Sequence, residues 1–274
     1  MEIKFEKMKF GYSEDHTVLK NIDITISGPQ FISIIGPNGV GKSTLIHCIN
    51  KILSPTEGTV YLNGKKVSEY SLKEMAKEVG YVPYKSQGVF PMLVVDAILL
   101  GRNPHAGWKT SSKDIRKVEE VMKKLEIEDL AMRNYNELSA GQHQRVMLAR
   151  GLVQEPKILL LDEPTANLDV KYQIGISRLL KKLAHDDGIL IIMISHDLNL
   201  AARYSDNIIL MSEGTVYAVG RPEDVMSVDN ISKVYGVDCK VVEDEGKPLV
   251  ILEDYTNYDC EISNECKCFI NCNE

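Results

Sequence analysis

Three observations predict an α/β fold. Strand-length apolar runs alternate with helix-period segments, a glycine-rich loop joins one such run to one such segment, and a second apolar run ends in two adjacent carboxylates. Residues 2–10 and 18–26 read as strands joined by a polar turn. Phe31-Ile32-Ser33-Ile34-Ile35 reads as a buried strand, and Leu45, Ile46 and Ile49 open a helical pattern behind it. Val60-Tyr61-Leu62 runs into Asn63-Gly64, a strong tight-turn signal. Residues 71–78 read as a short helix, and Gly80-Tyr81-Val82-Pro83 as a strand ended by proline.

From about Asp96 to Val153 the pattern is almost wholly helical, which predicts a helical insertion in the α/β core. Its clearest apolar stripe is Ile115, Val118, Met122 and Leu125, with Ser111 and Asp114 spaced as a capping box at its start. The core resumes with Lys157-Ile158-Leu159-Leu160-Leu161, a helix after Asp169, a strand at 189–194, and two strands around the Glu213-Gly214 turn.

The 274 residues are 44% apolar and 26% charged, enough to bury a sizeable core. The longest apolar run, Ile189-Leu190-Ile191-Ile192-Met193-Ile194, is strand-sized, far below the ~20 residues of a membrane-spanning helix. Met1-Glu2-Ile3-Lys4 carries no signal-peptide pattern, so the chain is expected to stay in the cytosol. Net charge is −7, of which −5 falls from Glu253 onward, leaving −2 for the body. A near-neutral body argues against nucleic acid as a partner.

Gly36-Pro37-Asn38-Gly39-Val40-Gly41-Lys42-Ser43-Thr44 fits the phosphate-loop pattern G-x-x-x-x-G-K-[ST]. Glycines let consecutive amides point at phosphate oxygens, and the following helix aims its positive end there. Lys42 can reach the β- and γ-phosphates, and the Ser43 hydroxyl can ligate Mg²⁺. Asp162 and Glu163 end the strand at 157–161, which suits Asp162 to the same Mg²⁺ and frees Glu163 to activate a water. Leu138-Ser139-Ala140-Gly141-Gln142 begins a helix that Ser139 can cap. A bare Ser-x-Gly is ordinarily no more than a capped helix. Here it precedes Asp162 by 23 residues, in a chain that already carries the loop.

The order GPNGVGKST, LSAGQ, LLLDEP, ANLD and ISHD resembles the ATP-binding cassette (ABC) ATPase family up to about Leu252. The LSAGQ-type signature carries the resemblance, because it separates this family from other phosphate-loop proteins. The resemblance implies a P-loop NTPase (RecA-like) core with an antiparallel β subdomain and a helical ABC signature subdomain. It implies a nucleotide-binding domain over 1–252, the helical part at about 90–153, followed by an acidic, cysteine-rich tail at 253–274. It further implies a head-to-tail homodimer. ATP would lie on residues 36–44 of one copy, with Tyr12 against adenine, and Ser139, Gly141 and Gln142 of the other copy would close over it. Glu163, His196 and Lys42 would be catalytic, Ser43 and Asp162 would hold Mg²⁺, and Asp169 would couple the two sites. A glutamine that links Mg²⁺ to the helical part is expected where Tyr84 stands. The nearest glutamine is Gln87, which fills that role only by a shift of the loop.

Phe90-Pro91-Met92-Leu93-Val94, Leu99-Leu100-Gly101-Arg102-Asn103-Pro104-His105 and Val234-Tyr235-Gly236-Val237-Asp238 are similar to the importers of iron–siderophore, haem and cobalamin. Molybdate or tungstate importers are the competitor of similar build. An importer reading implies a membrane permease, an extracytoplasmic binding protein and a peripheral place on the cytoplasmic membrane face. The rival is a soluble ABC ATPase that serves iron–sulfur cluster assembly. The tail lies outside the resemblance. Cys260, Cys266, Cys268 and Cys272 have spacings that fit no common zinc-finger or ferredoxin pattern. Their thiolates can bind Zn²⁺ or an iron–sulfur cluster, or nothing specific. The tail is expected to lack fixed structure without a ligand.

Overall fold

The computed structural model describes residues 1–13, 15–84, 91–105 and 110–253. Gln87 and the four clustered tail cysteines lie outside them. Two long strands, β1 (Glu2–Ser13) and β2 (His16–Ser27), pair antiparallel and extend beyond the ranges expected from sequence. β1 also pairs with β4 (Glu57–Leu62), which turns through Asn63-Gly64 into β5 (Lys65–Lys66). Asn63 and Gly64 hold φ of 50° and 78°, the successive positive values a two-residue hairpin turn requires. These strands form one sheet in the order β2-β1-β4-β5.

The second sheet holds β3 (Phe31–Ile35), β6 (Val79–Val82), β7 (Ile158–Leu161), β8 (Leu190–Ile194), β9 (Asn207–Ser212) and β10 (Thr215–Gly220) in the order β10-β9-β3-β8-β7-β6. β9, β3, β8, β7 and β6 run parallel, and β10 is an antiparallel edge. The central strands are apolar save for Ser33, whose buried hydroxyl bonds to that of Ser205, because both faces are covered. On β8, Leu190, Ile192 and Ile194 join the core shared with the antiparallel sheet, while Ile191 and Met193 join the core shared with the helical region.

α1 (Lys42–Ile49) follows β3, and α2 (Leu72–Glu78) is capped by a reciprocal Ser71–Glu74 box. Between β6 and β7 lie α3 (Val94–Leu99), α4 (Ser112–Lys124) and α5 (Ala140–Leu152), joined in part by 3₁₀ turns. The Ser111–Asp114 capping box is present. Ile115 departs from the expected stripe and is 47% exposed. Asp114 takes the inward position instead, because the buried Arg102 guanidinium meets its carboxylate at 2.9 Å.

α6 (Val170–Asp186) is capped by Asp169, and α7 (Leu198–Tyr204) follows β8 and is capped by Asp197. Beyond β10 come α8 (Pro222–Val225), α9 (Val228–Tyr235) and a hairpin of β11 (Cys239–Asp244) and β12 (Lys247–Leu252). Asn199 of α7 clamps this hairpin, donating to the Val250 carbonyl at 3.1 Å and accepting from its amide at 2.8 Å. No helix among the described residues is long and apolar enough to cross a membrane.

Candidate functional site

Parallel strands deliver their C-terminal ends to one edge of a sheet, where open α/β sheets bind ligands. β3 ends in the glycine loop, β7 in Asp162 and Glu163, β8 in Ser195 and His196, and β6 in Pro83 and Tyr84. Residues far apart in sequence are thereby brought together.

The loop's glycines are required by space and by backbone. Gly36 holds φ 146°, and a Cβ there would lie 2.3 Å from the Met211 carbonyl oxygen. Gly41 caps α1 at φ 98°, where a Cβ would lie 2.6 Å from Leu19 Cδ2. Lys42 is 6% exposed, and its ammonium donates to the carbonyls of Gly36 at 2.7 Å and Pro37 at 2.8 Å. Burial holds this ammonium below the ordinary lysine range, against the pull of Glu163 and Asp162. Thr44 is buried, so its placing beside Ser43 serves packing as well as the loop.

Ser43 Oγ donates to Asp162 Oδ1 at 3.2 Å. Burial raises the Asp162 carboxyl above its usual range, while the Ser43 bond opposes the rise. A buried carboxylate beside a hydroxyl is an all-oxygen pair that suits Mg²⁺, which takes few protein oxygens and fills its shell with phosphate oxygens and water. Glu163 holds φ 50°, and His196 Nε2 lies 2.5 Å from its Oε1.

Ser139 caps α5: its hydroxyl accepts from the Gln142 amide at 3.4 Å, and Gln142 Oε1 accepts from the Ser139 amide at 3.0 Å. Gly141 packs on Tyr172 of α6, whose ring a Cβ would meet at 2.8 Å. Among the described residues no hydrogen bond joins Ser139, Gly141 or Gln142 to the glycine loop of the same chain. Tyr12 is 65% exposed, its ring edge-on to Phe10 with centroids 5.0 Å apart. An exposed ring is free to stack on a planar ligand.

Three further residues hydrogen-bonded at this edge, His47, Tyr235 and Asn167, are given no site role by the sequence reading. His47 Nε2 lies 3.0 Å from the Tyr81 hydroxyl. One turn past Ser43 on α1, it could have been found by the i, i+4 spacing. Burial lowers its basicity, and burial pushes the Tyr81 phenol up to about 12. Tyr235 of α9 meets the Gly36 backbone; burial pushes its phenol up to about 12 although that contact opposes the shift. Asn167 Nδ2 donates to the Tyr84 hydroxyl at 3.3 Å.

The family profile described as ABC transporter matches residues 19–166. The hemin import ATP-binding protein HmuV of Escherichia coli O157:H7 is 39% identical, the match covering 85% of this chain and 93% of the relative. The ferric enterobactin transport ATP-binding protein FepC of Escherichia coli K12 is 34% identical over 91% of this chain and 93% of its own. The dimeric structure of MJ0796, a bacterial ABC transporter cassette, superposes with a TM-score of 0.71 at 32% identity, over 80% of this chain and 98% of that one.

Proposed function

The chain belongs to the ABC transporter family as an ATP-hydrolysing subunit, and on that premise we propose that it energises uptake of a metal chelate (iron–siderophore, haem or cobalamin) through a membrane permease. The observation that carries the reading is the convergence of Lys42, Ser43, Asp162, Glu163 and His196 at one sheet edge, in a chain whose relatives are named as ATP-binding proteins of hemin import and ferric enterobactin transport. Those relatives favour import over service to iron–sulfur cluster assembly.

In this reading the triphosphate of ATP lies on the amides of residues 36–44, and the Lys42 ammonium moves from the loop carbonyls to the phosphates. Ser43 and Asp162 hold Mg²⁺, which when bound neutralises charge on the β- and γ-phosphates. Glu163 accepts the proton of the attacking water, with its carboxylate aimed by His196. Ser139, Gly141 and Gln142 complete the site from a second copy; among the described residues no hydrogen bond ties them to the loop of their own chain. Exposed Tyr12 stacks on adenine. Closing two copies around two nucleotides moves the permease, and hydrolysis reopens them.

The protein sits peripherally on the cytoplasmic membrane face, and an extracytoplasmic protein supplies the solute. The four tail cysteines, Cys260, Cys266, Cys268 and Cys272, bind a soft metal such as Zn²⁺ or an iron–sulfur cluster. Metal analysis of the anaerobically purified full chain and of its four-Ser variant tests that part, equal metal in both counting against it. The transport reading is tested by uptake of labelled ferric chelate, haem and cobalamin in a strain lacking the gene. Loss of one of these, restored by the wild-type chain and not by Lys42→Ala, is the expected result. Undiminished uptake of all three would overturn it.

A further inference from the structure

The Tyr84 hydroxyl and the Asn167 amide are 83 residues apart in sequence and bonded at 3.3 Å. Each belongs to a loop that leaves the sheet beside Glu163. Tyr84 follows β6 by one residue, Pro83. β6 lies parallel to β7 with Val82 opposite Leu161, and the Asp162 amide donates to the Val82 carbonyl at 2.9 Å. Asn167 lies in the turn that starts at Glu163, where the Ala166 amide donates to the Glu163 carbonyl at 3.1 Å.

That turn is unusual in its backbone. Glu163 and Asn167 hold φ of 50° and 60°, in the left-handed region; asparagine enters it readily, whereas glutamate does so at a cost. Such conformations persist only where the surroundings over-determine them. His196 fixes the Glu163 carboxylate from β8. Asn167 is exposed, so packing does little to hold that end of the turn, and its amide is anchored on Tyr84. Tyr84 in turn begins the connection from β6 to α3. The hydroxyl three residues earlier, that of Tyr81, lies 3.0 Å from His47 on α1. The end of β6 is therefore tied on one side to the helix behind the glycine loop and on the other to the turn after Glu163.

We infer that Tyr84 is a positioning residue for ATP hydrolysis: its hydroxyl, through Asn167, fixes the turn that aims Glu163 and joins that turn to the segment connecting β6 with α3. A neutral phenol is a poor Mg²⁺ ligand, and the route proposed is the bond its hydroxyl accepts from the Asn167 amide. The inference rests on the ATPase reading and is independent of the solute carried.

The test is steady-state Mg²⁺–ATP hydrolysis by the full chain as wild type, Tyr84→Phe, Asn167→Gly and the double variant. Glycine keeps the positive φ at 167 while removing the amide. Each single change lowers kcat about five-fold, the rate equivalent of one lost neutral hydrogen bond, with KM for ATP unchanged. The double variant is no slower than the slower single one, because both remove the same bond. Tyr84 is 41% exposed, so Tyr84→Phe leaves the fold intact and its thermal midpoint within a degree or so of wild type. An unchanged kcat, an effect confined to KM, or losses that multiply in the double variant would each overturn the inference while leaving the ATPase reading in place. A wild-type chain without Mg²⁺–ATP turnover would remove both.

Discussion

His196 Nε2 lies 2.5 Å from Glu163 Oε1, the imidazole carried on the C-terminal end of β8 and the carboxylate on that of β7. Parallel pairing of the two strands places these groups side by side although 33 residues separate them. Glu163→Gln keeps the shape and removes the proton acceptor. Hydrolysis falls by about 10²-fold or more, within the range for loss of a general base, while ATP affinity is kept. His196→Ala lowers kcat in the same direction by freeing the carboxylate. Single-turnover hydrolysis beside equilibrium nucleotide binding separates the two effects.

The glycine loop distinguishes lack of space from backbone strain. Gly36→Ala would place Cβ 2.3 Å from the Met211 carbonyl, so β9 or the loop must shift, and ATP affinity falls about ten-fold or more. Gly39→Ala meets nothing within 4 Å and suffers only from φ 81°. Its cost of about 1 kcal/mol corresponds to about five-fold weaker binding. Titration with a fluorescent ATP analogue should rank the two variants in that order.

Arg102 and Asp114 make a buried pair, with side-chain exposures of 4% and 8% and an Nε–Oδ1 distance of 2.9 Å. Arg102 also donates to the Val153 carbonyl at 2.7 Å and to Glu155 at 2.9 Å. Asp114→Ala leaves the guanidinium short of a partner and costs about 3 kcal/mol in urea unfolding. Hydrogen bonds from Ser111, then from Arg102, hold the Asp114 carboxyl down to about 2. A depressed folded-state value means that its contribution is complete above about pH 4, the ordinary carboxylate range, and is lost as pH falls through about 2. The stability gap between wild type and Asp114→Asn should therefore stay constant from pH 7 to about 4 and narrow below it.

Gly141 lies against the Tyr172 ring, where an added Cβ would come within 2.8 Å. Gly141→Ala pushes the start of α5 away from α6 and lowers hydrolysis about ten-fold or more while nucleotide binding to the isolated loop persists. Tyr172→Ala in the same chain makes room and restores part of the rate. Equal inactivity of the single and double variants would place the requirement at Gly141 itself rather than in its packing.

The parts legible in sequence are those written locally. The glycine loop, the Ser111 and Ser139 caps, and the Asn63-Gly64 and Glu213-Gly214 turns each need only a few neighbouring residues, and each is present. The apolar runs gave the strands but not their order. β9-β3-β8-β7-β6 is set by how helices pack on both faces, which no window of sequence contains. Ile115 leaves the expected stripe because periodicity counts apolar residues and does not register that a buried arginine claims the inward position for Asp114. The C-terminal hairpin is weakly marked in sequence, although Glu245 and Gly246, at φ 51° and 74°, turn just as Glu213 and Gly214 do. Its strands carry charges on their exposed side, which weakens the apolar signal. The Tyr84–Asn167 and His47–Tyr81 pairings are written in no single window, because each joins residues from different elements, although the spacing of His47 from Ser43 marks His47 itself.

The proposal depends most on a sandwich in which each copy's Ser139-bearing turn covers the triphosphate held by the other. Sedimentation of the Glu163→Gln chain with Mg²⁺ and saturating ATP tests it most directly. Conversion to a dimer that ADP does not support, and that Ser139→Arg abolishes without loss of ATP binding, is the predicted result. A strictly monomeric Glu163→Gln chain under those conditions, even with its permease supplied, would contradict it.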